Sequence, residues 1–287
     1  FAMVSAAFGE DVVTLADFPS EIRAPAGTVA GVSGFQLNLS GDTSFTPGDK
    51  VDMLIAMNPA ALKVSLHLLK ENGSIIIDEN EFHKKSLEKA GFDQNPLEGD
   101  FLRQYRLYKI PITELTRNTL KDLNLSQKGI DRCKNFFVLG IACWLYSRPS
   151  EPVLQWIEGK FKKDPDIMKA NQTAFSGGWN YAECSEAFTH HFVIHRPKKT
   201  KQAGVYRYVS GNTSIALGLM AAANKSGLPL FLGSYPITPA TDILQELSKY
   251  KHFHVTTFQA EDELAAIGSA IGASFAGSLA ATSTSGP

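Results

Sequence analysis

The sequence predicts an α/β protein in two domains: a compact α/β block with a helical C-terminal portion, then a doubly wound parallel sheet. Three observations predict it. Short β-rich runs alternate with helical apolar spacing along most of the 287 residues, the pattern of strands and helices in succession. A basic, proline-containing stretch, Arg196-Pro197-Lys198-Lys199-Thr200-Lys201-Gln202, separates residues 1–191 from 204–287, with 192–203 as the linker. Beyond it the order is strictly strand then helix, which calls for parallel strands covered by crossover helices.

In the first block, residues 12–15, 28–39, 52–57 and 74–77 are β-rich and read as strands. Between the last two, Pro59 suits a first helical position, and Ala60, Leu62, Leu66 and Leu69 follow at helical spacing until Asn72-Gly73 ends the helix. Residues 103–110 alternate as a strand, and helices follow over 111–125, 129–146 and 152–161. A further helical pattern, 165–187, is interrupted by Gly177-Gly178. In the second block the strands are 205–209, 228–232, 253–258 and 279–284. Its helices are 213–226, capped by Asn212, then 239–250 and 261–276.

Charge narrows the function. Lys and Arg number 28 against 29 Asp and Glu, so the chain lacks the basic footprint of a protein that grips nucleic acid or an anionic membrane. The longest apolar runs, 136–145 and 227–233, fall far short of the roughly 18 residues that cross a bilayer. Three cysteines make no disulfide framework, and no basic segment followed by an apolar one opens the chain, so the cytoplasm is the expected location. Cys133, Cys143 and Cys184 include no C-x-x-C pair, which argues against an iron–sulfur cluster or structural zinc held by this chain alone. The chain opens on Phe1 and stops at Ser285-Gly286-Pro287 directly after a strand, as a fragment cut at both ends would.

The strongest local signal is Gly233-Ser234-Tyr235-Pro236-Ile237-Thr238-Pro239, joining an apolar strand to a helix. Ligands of open α/β sheets bind at such strand ends. Thr238 can cap the helix, and the free amides there attract a carboxylate. The plainer alternative is a stiff turn that starts a helix. A second signal is Glu261-Asp262-Glu263, opening a helix in which Leu264, Ile267, Ile271 and Phe275 form a core stripe and Gly268, Gly272 and Ala276 a smooth face. Acidic residues there complement the helix dipole; alternatively, a crowded carboxyl stays partly protonated and hydrogen-bonds a heterocyclic nitrogen. Gly211-Asn212 reads as an N-cap. His190, His191 and His195 lack a carboxylate or cysteine at ligand spacing, so a metal is not expected there. Arg23, in Asp17-Phe18-Pro19-Ser20-Glu21-Ile22-Arg23, either meets a phosphate or is a solvated surface residue.

Taken together, Gly211-Asn212, Ser234-Tyr235-Pro236-Ile237-Thr238-Pro239, Ala260-Glu261-Asp262-Glu263-Leu264-Ala265-Ala266-Ile267-Gly268 and Ala281-Thr282-Ser283-Thr284-Ser285-Gly286-Pro287 resemble the alpha subunit of 2-oxoacid:ferredoxin oxidoreductases. Residues 1–191 resemble that family's gamma domain, fused ahead of alpha as in the 2-oxoglutarate-type enzymes, through the Asp17 to Arg23 segment, Pro47-Gly48-Asp49-Lys50-Val51-Asp52 and Asn58-Pro59.

The resemblance implies a gamma-type domain followed by the first half of a thiamine-diphosphate pyrimidine-binding domain. It also implies oxidative decarboxylation of a 2-oxoacid, acyl transfer to coenzyme A and reduction of ferredoxin. Glu263 matches the carboxylate that bonds the aminopyrimidine, Thr238 the contact to the substrate carboxylate, and Tyr235 and Pro236 the pocket wall. Arg23 is a possible coenzyme A contact, although Ala24-Pro25-Ala26-Gly27 follows it where many relatives have a glycine pair, and the family's glycine-rich loop would lie upstream of Phe1. The chain has no Gly-Asp-Gly diphosphate motif, so Mg²⁺ and a 4Fe–4S cluster are expected on a partner beta subunit. The alternatives are a non-catalytic nucleotide-binding or interaction module, and a thiamine enzyme specific for pyruvate or a branched 2-oxoacid.

Overall fold

The computed structural model describes residues 1–17, 32–42, 44–188, 191–194, 204–205 and 207–285. The chain divides into two compact units, Phe1–Ala203 and Gly204–Pro287.

Unit 1 opens with helix α1 (Ala2–Ala7) and the antiparallel pair β1 (Asp11–Asp17) and β2 (Gly34–Ser40). Its parallel sheet has the order β3 (Val51–Ala56), β4 (Leu69–Asp78), β5 (Arg106–Ile110). Helix α2 (Pro59–Ser65) links β3 to β4 and α3 (Lys84–Ala90) precedes β5. Among the described residues five helices follow: α4 (Ile112–Leu120), α5 (Gln127–Arg132), α6 (Lys134–Leu145), α7 (Glu151–Phe161) and α8 (Pro165–Cys184).

The central strand shows why the sheet lies in the middle of this unit. Ile75, Ile76 and Ile77 are all fully buried, as a strand covered on both faces requires. Because successive side chains point to opposite faces, Ile76 joins Ile110, Leu120, Phe137 and Ile141 on one side. Ile75 and Ile77 join Leu62, Phe82 and Leu87 on the other.

Several expected boundaries move. Helix α2 starts as its sequence requires, with Asn58 Oδ1 accepting from the Ala61 N–H (2.8 Å) and Pro59 in the first turn. It stops at Ser65 rather than at Asn72-Gly73. Leu69 already pairs with Val51, the register then jumps to Met53 opposite Ser74, and Asn72, at φ 59°, lies in the resulting bulge. An extra loop of chain in one strand produces that geometry, and Lys70 bonded to Asp52 (2.7 Å) anchors its near side. The expected helix over 129–146 is two, because Cys133 closes α5 with a bond to the Ile130 carbonyl (2.9 Å) and starts α6. Helix α4 takes its N-terminal cap from the end of β4 and the turn after it: buried Asp78 accepts from the Thr113 N–H (3.2 Å) and hydroxyl (2.5 Å), and Asn80 from the Glu114 N–H (3.0 Å).

Gly177-Gly178 does not interrupt α8. A Cβ on Gly178 would lie 1.8 Å from the Phe137 carbonyl oxygen, and one on Gly140 2.1 Å from that of Phe175. The glycines let α6 and α8 pack backbone against backbone, and the helix runs through them.

The cysteines differ in environment. Cys133 and Cys143 are buried and Cys184 is exposed at the end of α8. Burial pushes both buried thiols up, that of Cys143 to about 12. Since the thiolate is the reactive form, native protein is expected to take one iodoacetamide adduct, at Cys184, and three after unfolding in guanidinium, counted by mass. Native-state labelling of Cys143 as fast as Cys184 would contradict this burial.

Unit 2 is a three-stranded parallel sheet in the order β7 (Val255–Gln259), β6 (Leu230–Ser234), β8 (Leu279–Ser283). Helix α9 (Gly211–Ser226) precedes β6, α10 (Thr241–Leu247) links β6 to β7, and α11 (Glu263–Phe275) links β7 to β8. The expected strand over 205–209 is absent from this sheet: none of its described residues pairs in it, and Val205 is 91% exposed. Ser210, not Asn212, caps α9, its Oγ accepting from the Thr213 N–H (3.2 Å).

The expected core stripe of α11 faces outward. Leu264 is 80% and Phe275 97% exposed, with Ile267 and Ile271 also exposed, while Ala266 and Ala270 are buried. Gly233 explains the inversion, because a Cβ there would stand 2.3 Å from Ser269 Oγ and 2.8 Å from the Ala266 carbonyl. The helix backbone rests directly on β6, and only small residues fit beneath it.

Candidate functional site

The chemistry-bearing residues of unit 2 gather at the carboxyl ends of its three strands. Ser234, Gln259 and Ser283 are level in the register, and the segment after each strand carries a sequence-predicted residue or motif. The buried Ser234 hydroxyl bonds the Ser283 hydroxyl (2.8 Å), tying β6 to β8. The Ala260 N–H donates to the Ser234 carbonyl (3.0 Å), continuing the β6–β7 pairing one residue further.

After β6 the chain turns through half-buried Tyr235 and Pro236 to exposed Thr238, whose bond to Pro239 is cis. Thr238 does not cap the following helix. Helix α10 starts only at Thr241, behind Ala240 and without a side-chain cap, because the Thr241 N–H already reaches the Ile237 carbonyl (2.9 Å). Two other residues hold the turn: Ser285 Oγ donates to the Thr238 carbonyl (2.9 Å) and Asn212 Nδ2 to the Pro239 carbonyl (2.9 Å). Asn212, expected as a helix cap, thus holds this turn instead, together with Ser285. The contacts join segments 27 and 47 residues apart, which spacing alone does not reveal.

After β7 the acidic triplet divides its work. Asp262 is the N-cap of α11, accepting from the Ala265 N–H (2.7 Å). Glu263 is the first helical residue and is exposed, and Glu261 lies before the cap. The structure therefore sets Glu263 and Thr238 just past the ends of neighbouring parallel strands. One carboxylate at a helix start, free of ion pairs among the described residues, is a donor set that fits the ring nitrogen of an aminopyrimidine. The turn after the neighbouring strand, with the exposed hydroxyl of Thr238, has the chemistry to meet a small carboxylate.

The other candidates fall differently. Arg23, with the segment leading to it from Phe18, lies outside the described residues, as do His190 and His195. His191 packs on Trp144 (ring centroids 4.1 Å) with Nδ1 at its carbonyl (3.0 Å). Of the gamma-domain motifs, Asn58-Pro59 starts α2, and the Pro47 and Gly48 carbonyls accept from Gln36 Nε2 (2.9 and 2.6 Å), fixing the entry to β3. No helix among the described residues is long and apolar enough to cross a membrane.

An α/β unit extended by helices, followed by a parallel sheet with these strand-end turns, defines a class. Residues 1–181 match the model of the pyruvate ferredoxin/flavodoxin oxidoreductase family and residues 222–287 that of its thiamine-diphosphate-binding domain, and the chain belongs to this family. It is 46% identical over 287 residues to the 2-oxoglutarate oxidoreductase subunit KorA of Mycobacterium tuberculosis, covering 100% of this chain and 44% of that protein. It is 26% identical over 193 residues to subunit alpha of 2-oxoacid:ferredoxin oxidoreductase 1 from Aeropyrum pernix, covering 64% of this chain and 29% of that one. Among solved structures it is similar to 2-oxoglutarate:ferredoxin oxidoreductase from Magnetococcus marinus, which holds 2-oxoglutarate, coenzyme A and succinyl-CoA. There the TM-score is 0.69 and the identity 26%, over 100% of this chain and 44% of that one. The chain thus spans less than half the length of these relatives.

Proposed function

We propose that the chain is part of the fused gamma–alpha subunit of a 2-oxoglutarate:ferredoxin oxidoreductase. In this reading the enzyme decarboxylates 2-oxoglutarate oxidatively to succinyl-CoA and CO₂ and reduces ferredoxin. The observation that supports it most is the pairing of the Thr238 turn with Glu263 on adjacent strand ends, in a chain 46% identical to a 2-oxoglutarate oxidoreductase subunit. Glu263 would hold the pyrimidine N1′ of thiamine diphosphate and exchange a proton with it there. Thr238 orients the substrate carboxylate, and Tyr235 and Pro236 keep water from it. Thiamine diphosphate, when bound, supplies the nucleophilic carbon and the electron sink for decarboxylation. A beta subunit holds the diphosphate with Mg²⁺ and the 4Fe–4S cluster, and Arg23 contacts coenzyme A.

The test is the full-length subunit assembled with its beta partner and assayed for coenzyme A-dependent ferredoxin reduction with 2-oxoglutarate, pyruvate and branched 2-oxoacids. The expected kcat/KM for 2-oxoglutarate exceeds the others by about 10²-fold or more, since a site built to bond a second carboxylate rejects substrates lacking it. Preference for pyruvate would overturn the substrate. Inactivity with every 2-oxoacid, together with no thiamine diphosphate binding, would favour an interaction module.

A further inference from the structure

Two side chains distant in sequence hold the turn that bears Thr238. Ser285, just beyond β8, donates to the Thr238 carbonyl, and Asn212, in the first turn of α9, donates to the next carbonyl, that of Pro239, each at 2.9 Å. The turn's own backbone bonds are few. The Thr241 N–H reaches Ile237 (2.9 Å), and the Asp242 N–H reaches the Pro239 carbonyl only at 3.5 Å. Beneath them the Ser234 and Ser283 hydroxyl pair holds β8 beside β6, so Ser285 starts from a fixed point. Two consecutive carbonyls are thereby drawn to the α9 and β8 sides, and the Thr238 side chain is left exposed.

We propose that Asn212 and Ser285 are positioning residues for recognition of the 2-oxoacid carboxylate. They fix the carbonyls of Thr238 and Pro239 and so set the direction in which the Thr238 hydroxyl is presented. This rests on the assignment of Thr238 to the substrate carboxylate. An exposed turn that is ordered only when substrate arrives loses affinity to that ordering, and one ordered beforehand does not. Loss of either donor therefore weakens ground-state binding and raises KM more than it lowers kcat.

In the assembled enzyme, Ser285→Ala and Asn212→Ala are each expected to raise KM for 2-oxoglutarate about 10-fold while kcat stays within about threefold. Ser285→Thr, which keeps the hydroxyl, restores KM. In a Thr238→Val background the same two substitutions add less than about twofold, because a residue that acts through Thr238 has nothing left to position. Calorimetric affinity for 2-hydroxyglutarate, an unreactive analogue with both carboxylates, follows the same pattern, and melting curves verify that each variant is folded. The two independent donors keep the test valid if one variant is unstable. If Thr238→Val raises KM but neither donor variant does, the positioning role is overturned. Effects that add in full to Thr238→Val overturn it too, since the two residues would then touch substrate directly. If Thr238→Val leaves KM unchanged, the assignment of Thr238 itself fails.

Discussion

Glu263→Gln in the assembled complex is expected to lower turnover about 10²–10⁴-fold, the usual worth of an acid–base group, while Glu261→Gln stays within a few-fold of the parent. The two carboxylates are two residues apart, yet the structure gives them different places. Glu263 begins α11, whereas Glu261 precedes the Asp262 cap and is not on the helix. Glutamine keeps the size of Glu263 and removes its capacity to exchange a proton with a ring nitrogen. Glu261 contributes at most a helix-dipole interaction of about 0.3–1 kcal/mol. Steady-state rates of the two variants, measured side by side with saturating 2-oxoacid and coenzyme A, check the contrast.

Gly178→Ala is expected to destabilise unit 1 by about 3 kcal/mol, at the upper end of overpacking costs. The new methyl would meet the Phe137 carbonyl at 1.8 Å, a backbone atom that cannot swing aside as a side chain would, so α6 and α8 must separate. In a domain of this size that corresponds to a fall in Tm of about 6–12 °C. Gly159→Ala is the control. It lies in the last turn of α7 with nothing within 4 Å of an added Cβ, and replacing a helical glycine in open space is expected to stabilise by up to about 0.5–1 kcal/mol. Differential scanning calorimetry of both variants would read the opposite signs, and an unchanged Tm for Gly178→Ala would mean the helices are not in backbone contact.

Where local chemistry and tertiary packing agree, the fold was legible in the sequence. The Ile75-Ile76-Ile77 run reads as a strand, Asn58-Pro59 announces a helix start, and the three strands that form the sheet of unit 2 carry their own β-rich runs. Where packing overrides local pattern, it was not. Gly177-Gly178 has the composition of a break but serves a close helix crossing. The Leu264, Ile267, Ile271 and Phe275 stripe has core periodicity, yet Gly233 beneath α11 admits only alanine-sized neighbours. Asn72-Gly73 has the composition of a helix end, but an earlier strand pairing at Leu69 makes it a bulge.

The candidate site divides along the same line. Thr238, Tyr235, Pro236 and Glu263 stand out as candidates in the sequence because each belongs to a contiguous motif next to a strand end. The hold of Asn212 and Ser285 on the Thr238 turn was not, because it exists only once α9 and β8 are brought beside β6. The cap that Thr238 could have made is not formed, since the sequence does not tell where between Pro239 and Thr241 the helix begins.

Exchange of the C2 proton of thiamine diphosphate bound to the assembled complex, followed by NMR in D₂O, reports the proton transfer assigned to Glu263 without involving 2-oxoacid, coenzyme A or ferredoxin. The expected result is exchange slowed about 10²-fold or more in Glu263→Gln and close to the parent rate in Glu261→Gln and in Thr238→Val. Slow exchange in Glu261→Gln with fast exchange in Glu263→Gln would contradict the assignment of the pyrimidine-facing carboxylate to the first residue of α11.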